Sequence, residues 1–302
     1  MIKHFLSLAS YSSPELSSLI ERARYFSLHQ NQPDKIHHLL QNKIIANLFY
    51  EPSTRTRCSF EIAAKRLGAE VVNFVPENSS AKKGETVYDT LKTMEALGAD
   101  ALVLRHSDDK VFDTLVPHFN LPLINAGAGK LEHPSQGLLD LLTLKQEFGD
   151  LAGLKIAVCG DIKHSRVAGS LMVAAPIFGM QVYLCGPAPL LPAVTSKNIH
   201  LANFDEVLPE VDAVMMLRIQ LERHESLELD QVSYHQQFGM NAKRLNQMKN
   251  NAVILHPGPF NRGVEISDEV VEHPKSRIFK QVSNGVAARM AILEWAINGG
   301  KS

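Results

Sequence analysis

The stretch 49–57 reads Phe-Tyr-Glu-Pro-Ser-Thr-Arg-Thr-Arg, and it sets two arginines and three hydroxyls between an apolar run and a helical pattern. Pro52 and Ser53 mark the junction as a turn followed by a helix cap. The first N–H groups of a helix lack partners and lie at the positive end of its dipole, so they favour an oxyanion. Arg55 adds a planar fork that fits two phosphate oxygens. The stretch therefore predicts a phosphate site rather than an ordinary capped helix surface.

Apolar runs alternate with helical patterns along the chain. The strand-like runs are 43–50, 69–74, 99–104, 121–125, 154–161, 181–184, 213–217 and 252–255, and the helical patterns cover 59–67, 87–97, 111–119, 135–148 and 167–178. This order predicts an α/β protein with two doubly wound domains, each with a mostly parallel sheet flanked by helices. Polar residues that follow strands gather at one edge of such a sheet. They are Ser53, Arg105, Asp161, Arg218 and His256.

One segment, 218–241, is long, charged and without a regular pattern. It predicts either a mobile active-site loop or a disordered excursion, and its position beside Arg218 favours the loop.

Composition excludes several classes of protein. The 302 residues suffice for two domains, and 45% hydrophobic content suits globular cores. With 31 basic and 32 acidic residues, no net field attracts nucleic acid or an anionic membrane. The three cysteines, Cys58, Cys159 and Cys185, indicate a reducing compartment, and we expect each to be a small core residue. The first apolar run is too short for secretion, and none is long enough to span a membrane, so we expect a cytoplasmic protein.

Further motifs follow in order along the chain. They are Lys-Lys-Gly-Glu-Thr at 82–86, His-Pro-Ser-Gln-Gly-Leu-Leu-Asp at 133–140, Leu-Arg-Ile-Gln at 217–220 and His-Pro-Gly-Pro at 256–259. With the stretch 53–57, they resemble the aspartate and ornithine carbamoyltransferase family from about Leu6 to Trp295. The resemblance implies a carbamoyl-phosphate-binding domain at 1–132 with a C-terminal helix at 286–302, and an aspartate-binding domain at 133–285. The active site would lie in the cleft between them, and no metal or other cofactor is implied.

The resemblance assigns a carbamoyl-phosphate set. Its members are Ser53, Thr54, Arg55, Thr56, Arg105, His133, Gln136, the backbone of Pro257 and Gly258, and Ser79 and Lys83 from a neighbouring subunit. Of these, Arg55, Thr56, Lys83, Arg105 and His133 would be catalytic. By themselves, Arg105 could be a surface residue at a strand end, His133 a helix entry and the loop 76–85 a solvated loop. The shared loop implies a homotrimer.

The second substrate depends on two arginines. Aspartate carries two carboxylates, which require two separate forks, and Arg166 and Arg218 match the family's aspartate-binding pattern. Gln220 and Lys83 complete the implied aspartate set. Each arginine alone could be a surface residue, and ornithine or another amine remains the alternative substrate. Gly258 replaces a leucine found in some members of the family.

Glu51 and Arg57 flank the predicted phosphate ligands within the stretch 49–57. Glu51 could position the arginines or be a turn carboxylate in water. Arg57 lies on a different helical face from Arg55, so we expect a structural or interface role.

With aspartate, the products would be N-carbamoyl-L-aspartate and phosphate, in the committed step of de novo pyrimidine biosynthesis. A regulatory chain or a dihydroorotase-like partner is compatible with the resemblance.

Overall fold

The computed structural model describes residues 3–76, 84–194, 196–219 and 230–299. The chain divides into two compact units. The first unit is Met1–Leu142 with Ser283–Ser302, and the second unit is Thr143–Val282. The boundaries that we expected for two substrate-binding domains, and a cleft site between them, stay predictions.

The first unit is built around a four-stranded parallel sheet in the order β2-β1-β3-β4. Its strands are β1 (Ile44–Phe49), β2 (Glu70–Phe74), β3 (Ala101–His106) and β4 (Leu123–Ala128). Its helices are α1 (Ser13–His29), α2 (Pro33–Ile36), α3 (Thr54–Arg66), α4 (Val87–Ala96), α5 (Val111–Leu115) and the first part of α6 (Pro134–Phe148). Apart from the half-buried Ile44, the apolar residues of β1, β3 and β4 are buried, as in a sheet covered on both faces.

The second unit contains a five-stranded parallel sheet in the order β7-β6-β5-β8-β9. Its strands are β5 (Lys155–Cys159), β6 (Gln181–Cys185), β7 (Ile199–Leu201), β8 (Ala213–Met216) and β9 (Val253–Leu255). Its helices are α7 (Arg166–Phe178), α8 (Phe204–Val207), α9 (Gln231–Phe238), α10 (Ala242–Leu245) and α11 (Asp268–Val271). The last helix, α12 (Ile278–Ile297), begins before the C-terminal segment of the first unit.

The predicted fold class is confirmed, since both sheets are parallel and flanked by helices. Two expectations need correction. The segment 218–241 is not irregular throughout, because α9 forms where Asp230 caps the helix by accepting from the Ser233 N–H and Tyr234 is fully buried. Residues 220–229 lie outside the described residues. Cys58 is exposed on α3 rather than part of a core, whereas Cys159 and Cys185 are buried as expected.

Within the described part of the chain, no helix combines the length and the apolar character needed to cross a membrane.

Candidate functional site

The anion site predicted at 53–57 lies where β1 passes into α3. Ser53 holds the N-cap position in extended backbone, and its hydroxyl makes no capping hydrogen bond to the helix within the described residues. Thr54 and Arg55 are exposed in the first turn of this 13-residue helix. The positive end of the α3 dipole, the Ser53 hydroxyl and the Arg55 guanidinium therefore lie within one short stretch that an oxyanion can reach.

Arg105 is placed beside this turn by the register of the sheet, because Phe49 at the end of β1 pairs with Arg105 on β3. Its Nη1 donates to the Ala126 carbonyl oxygen at 3.2 Å, and its Nε lies 3.6 Å from Glu51 Oε2. The side chain is only 12% exposed, so Arg105 is not a solvated surface residue. Glu51 contacts an arginine of the predicted site and is more than a turn carboxylate in water.

Thr56 and His133 meet although 77 residues separate them in the chain. Thr56 Oγ1 lies 3.3 Å from His133 Nε2, and both residues are nearly buried. His133 Nδ1 lies 3.4 Å from Ser135 Oγ on the first turn of α6. Two members of the predicted carbamoyl-phosphate set therefore share one hydrogen-bonded cluster, and the cluster fixes the His133 ring beside the start of α3.

Gln136 is oriented by a residue one helical turn further along α6. Its Nε2 donates to Asp140 Oδ1 at 3.0 Å, so its carbonyl oxygen is the end of the amide left to accept from a ligand. Asp140 is fully buried, and so is Arg289 of α12. Burial lowers the pKa of Arg289 to about 9, and the nearby Asp140 carboxylate opposes that fall, so the guanidinium keeps its charge at neutral pH.

A cavity of about 210 Å³ opens beside the same turn. Its lining residues are Phe49, Glu51, Pro52, Ser53, Thr54, Arg57, Phe74, Val75 and Pro76. Arg57 faces this cavity, whereas Arg55 is not among the lining residues. The two arginines therefore have different surroundings, and Arg57 lines the cavity together with Ser53 and Thr54.

In the second unit, three segments follow adjacent strands of one sheet, β5, β8 and β9. The ends of β5 and β8 approach closely at Gly160, whose φ is +137°. A Cβ atom at Gly160 would lie 2.7 Å from the Leu217 carbonyl oxygen, so this contact requires glycine. The segments that begin at Asp161 and Arg218 consequently leave the sheet side by side.

Arg166 and Arg218 each have a defined place at this edge. Arg166 is the first residue of α7, after Ser165, whose side chain caps the helix by accepting from the Ala168 N–H. Arg218 follows β8 and is exposed. His164 Nδ1 lies 2.9 Å from Asp161 Oδ1 in the turn that leads to Arg166. Both residues therefore follow the carboxyl ends of neighbouring strands, where ligands of parallel sheets bind.

The turn after β9 holds the third segment. Pro257 and Gly258 are half-buried, and Gly258 has a φ of +64°, a conformation that favours glycine. The Asn261 side chain donates to the Ile219 carbonyl oxygen at 3.1 Å, so this turn is tied to the residue after Arg218.

Three residues of the predicted site, Ser79, Lys83 and Gln220, lie outside the described residues. Metal sites need clustered ligands, and no group of three or more His, Cys, Asp or Glu side chains suited to a metal occurs among the residues that the structure describes.

Sequence reasoning missed four residues that hold the site. They are Asp140, Arg289, Glu265 and Asn261. Asp140 could have been found, since it stands four residues after Gln136 on the same helical face. Arg289, Glu265 and Asn261 come close to the predicted site residues only through the tertiary fold.

Two domain models of one family match nearly the whole chain. The carbamoyl-P binding domain of aspartate/ornithine carbamoyltransferase matches residues 3–146, and the Asp/Orn binding domain matches residues 152–296. The chain is 32% identical to aspartate transcarbamoylase from Trypanosoma cruzi in complex with carbamoyl phosphate, with a TM-score of 0.87 and coverage of 97% of this chain and 95% of that one. The complex of the same enzyme with carbamoyl phosphate and aspartate gives 32% identity, a TM-score of 0.86 and coverage of 97% and 94%.

Ornithine carbamoyltransferase from Pyrococcus furiosus is also similar, at 27% identity, a TM-score of 0.86 and coverage of 99% and 98%. Two parallel α/β units, each with charged and polar residues after the carboxyl ends of its strands, define a class of α/β proteins that bind ligands at those strand ends. Within that class, this chain belongs to the aspartate/ornithine carbamoyltransferase family.

Proposed function

We propose that the protein is an aspartate carbamoyltransferase, which transfers the carbamoyl group of carbamoyl phosphate to the amino group of L-aspartate. The observation that carries this proposal is the cluster in the first unit. It joins the start of α3, with Arg55 exposed, to the Thr56–His133 contact at 3.3 Å. Support for the amine comes from Arg166 and Arg218 in the second unit, and from the aspartate transcarbamoylase of Trypanosoma cruzi, whose structure holds carbamoyl phosphate and aspartate.

The first unit would bind carbamoyl phosphate. Ser53, Thr54 and Arg55, with the N–H groups at the start of α3, would neutralise the phosphate. Thr56, Arg105 and His133 would donate to the carbonyl oxygen as negative charge develops on it during attack. The contacts of Arg105 with Ala126 and Glu51 fix this guanidinium before substrate arrives, and such preorganisation is what lowers the barrier.

Gln136 would bind the carbamoyl nitrogen. Asp140 occupies its amide nitrogen, so its carbonyl oxygen accepts from the NH₂ group of the substrate. The carbonyls of Pro257 and Gly258 would accept from the same group. The departing phosphate can take the proton of the attacking amine, so no dedicated protein base is required.

The second unit would choose the amine. The similarity to an ornithine carbamoyltransferase at a TM-score of 0.86 means that the backbone alone does not decide between aspartate and ornithine. Aspartate presents two carboxylates, and two guanidinium groups after adjacent strands suit two carboxylates better than one carboxylate and an ammonium group. Gln220 and Lys83 would complete this set.

The remaining proposals concern assembly and context. We propose a homotrimer in which Ser79 and Lys83 of each chain complete the site of a neighbour, acting in the cytoplasm at the committed step of pyrimidine biosynthesis. A native mass near three times 33.4 kDa would support the trimer. A larger mass in lysate would indicate a regulatory chain or a dihydroorotase-like partner.

Parallel assays with aspartate and ornithine, at equal concentrations and with saturating carbamoyl phosphate, test the reaction. We expect N-carbamoyl-L-aspartate and phosphate in equal amounts, and kcat/KM for aspartate at least 100-fold above that for ornithine, as two mismatched charged contacts imply. Preference for ornithine would overturn the roles of Arg166 and Arg218. Binding of carbamoyl phosphate without turnover of any amine would indicate a non-catalytic phosphate-binding protein.

A further inference from the structure

A buried carboxylate in the second unit, Glu265, touches neither of the predicted arginines but contacts the segments around the site. Its side chain is 0% exposed, as is that of His256, the residue after β9. His256 Nε2 lies 3.3 Å from Glu265 Oε1. A carboxylate is expensive to bury unless donors surround it, so the position calls for a role.

The hydrogen bonds of His256 define its tautomer. The Gly258 N–H donates to His256 Nδ1 at 2.9 Å, and a backbone N–H can only donate. Nδ1 is therefore the unprotonated nitrogen, and the ring proton lies on Nε2, from which it is donated to Glu265. Glu265 thus orients the ring that holds the Gly258 N–H.

This contact sets the direction of the Pro257–Gly258 turn. With its N–H taken by His256, Gly258 sits in the left-handed conformation at φ +64°. The His256 N–H is held as well, by Gln281 Oε1 at 2.8 Å. The backbone carbonyls proposed to accept from the carbamoyl nitrogen are therefore carried on a turn anchored at both ends.

The same carboxylate oxygen also reaches the segment after β8. Glu265 Oε1 accepts from the Asn261 N–H at 2.5 Å, and the Asn261 side chain donates to the Ile219 carbonyl oxygen at 3.1 Å. Ile219 is 1% exposed and directly follows Arg218. A chain of two hydrogen bonds therefore connects Glu265 to the backbone that carries the exposed arginine.

We propose that Glu265 is a positioning residue for the carbamoyl transfer, holding the Pro257–Gly258 turn through His256 and the Arg218 segment through Asn261. This inference rests on the proposed function. It predicts that losing the acceptor at 265 impairs turnover and aspartate binding together, while the contacts of the first unit with the phosphate group of carbamoyl phosphate persist. If Glu265 only supported the fold, its substitution would change the kinetic parameters no more than a core substitution that lowers the melting temperature equally.

Two variants separate the acceptor from the volume. Glu265→Gln keeps an oxygen that can accept from His256 and Asn261, and Glu265 Oε2 has no hydrogen-bond partner among the described residues, so the amide nitrogen displaces none of those contacts. Glu265→Leu keeps a similar volume without an acceptor. Val270→Ala, at a fully buried core position of the same unit, is the control that lowers stability without touching either segment.

The experiment measures kcat, KM for both substrates and the melting temperature for the wild type and these three variants. We expect Glu265→Gln to stay within about threefold of the wild type, and Glu265→Leu to lose at least tenfold in kcat and gain at least tenfold in KM for aspartate. Val270→Ala should keep the wild-type KM values despite a lower melting temperature.

Two outcomes are distinguishable failures. Wild-type protein without carbamoyl transfer would refute the proposed function itself. If the wild type is active but Glu265→Leu has an unchanged KM for aspartate, only the positioning role is refuted. The positioning role is also refuted if Val270→Ala, at an equal melting temperature, shows the same changes in kcat and KM as Glu265→Leu. If Glu265→Leu does not fold, a Glu265→Gln variant impaired as severely as Asn261→Ala would still contradict the acceptor role.

Discussion

The two units build their binding groups in different ways. In the first unit, residues of the recognised motifs contact one another, as Thr56 contacts His133 and Gln136 donates to Asp140. In the second unit, the carbonyl oxygen of Ile219, the residue after Arg218, accepts from the side chain of Asn261, which lies outside every motif. When motif residues hold one another in place, the sequence reveals both the binding groups and their supports. When other residues hold them, those supporting residues are found only in the folded structure.

This difference has a physical origin. The phosphate group of the donor is small and strongly charged, and a helix start with neighbouring hydroxyls and an arginine suits it within a short stretch of chain. A dicarboxylate has two separated charges, so its arginines must come from different strands, and their spacing depends on side chains that support the loops. Substitutions in each unit test whether the units divide the two substrates in this way.

The largest effect is expected for Arg55→Ala, which removes charge-assisted contacts to the leaving phosphate. We expect kcat to fall at least about 100-fold, as for other donors that act on developing charge. Steady-state assays measure the change. Arg24→Ala, at an exposed arginine that pairs with Glu21 on α1, is the matched control and should keep wild-type turnover. Near-wild-type kcat for Arg55→Ala would remove Arg55 from the site.

A smaller effect of a different kind is expected for Arg218→Ala. Loss of one charged contact should raise KM for aspartate about 10- to 100-fold and leave KM for carbamoyl phosphate within twofold. The control is Arg262→Ala, which breaks exposed ion pairs with Asp268 and Glu272 in the same unit. An equal rise in both KM values would contradict the assignment of Arg218 to the amine.

Asp140→Ala should act on the first unit through both orientation and stability. Without the carboxylate the Gln136 amide can turn, and the buried Arg289 guanidinium loses its nearby counter-charge. We expect kcat to fall about tenfold and the free energy of unfolding to fall by about 3 kcal/mol, as for a broken buried charge contact.

Denaturant unfolding and steady-state assays measure these two changes. Asp140→Asn keeps an oxygen that can accept from Gln136, so it should recover turnover more than stability. Recovery of stability without turnover would argue against the orienting role.

The smallest effect is expected from a thiol reagent, which modifies only accessible cysteines and so compares burial in the two units. Cys58 of the first unit is exposed. In the second unit, burial raises the pKa of Cys185 to about 12 and that of Cys159 well above its usual range. We expect one thiol per native chain to react rapidly at pH 8, and three after unfolding, since the thiolate is the reactive form. Rapid reaction of a second thiol would show that the second unit opens more readily than its packing implies.

Much of the fold could be predicted from the sequence because apolar runs and helical patterns alternate clearly. The strands were identified except for β7, whose three residues, Ile199–Leu201, are too few to show a pattern. The helix α9 was missed because its stability comes from the Asp230 cap and the burial of Tyr234, not from a strong apolar period.

The predictability of the site follows the same division. Arg55, Thr56 and His133 were predicted from motifs, and the structure places Thr56 Oγ1 3.3 Å from His133 Nε2. Glu265 lies nine residues after His256, and this separation does not by itself predict a contact. The two side chains meet because the chain folds back and buries both. Local sequence therefore reveals which groups contact substrate more readily than which groups hold them.

The division of substrates between the units is tested most directly by calorimetric titration of carbamoyl phosphate, without aspartate, into the wild type, Arg55→Ala and Arg218→Ala. We predict that Arg55→Ala raises the dissociation constant for carbamoyl phosphate at least about tenfold, as the loss of a charged hydrogen bond implies. Arg218→Ala should leave this constant unchanged. Equal weakening by the two substitutions, or no weakening by Arg55→Ala, would contradict the account.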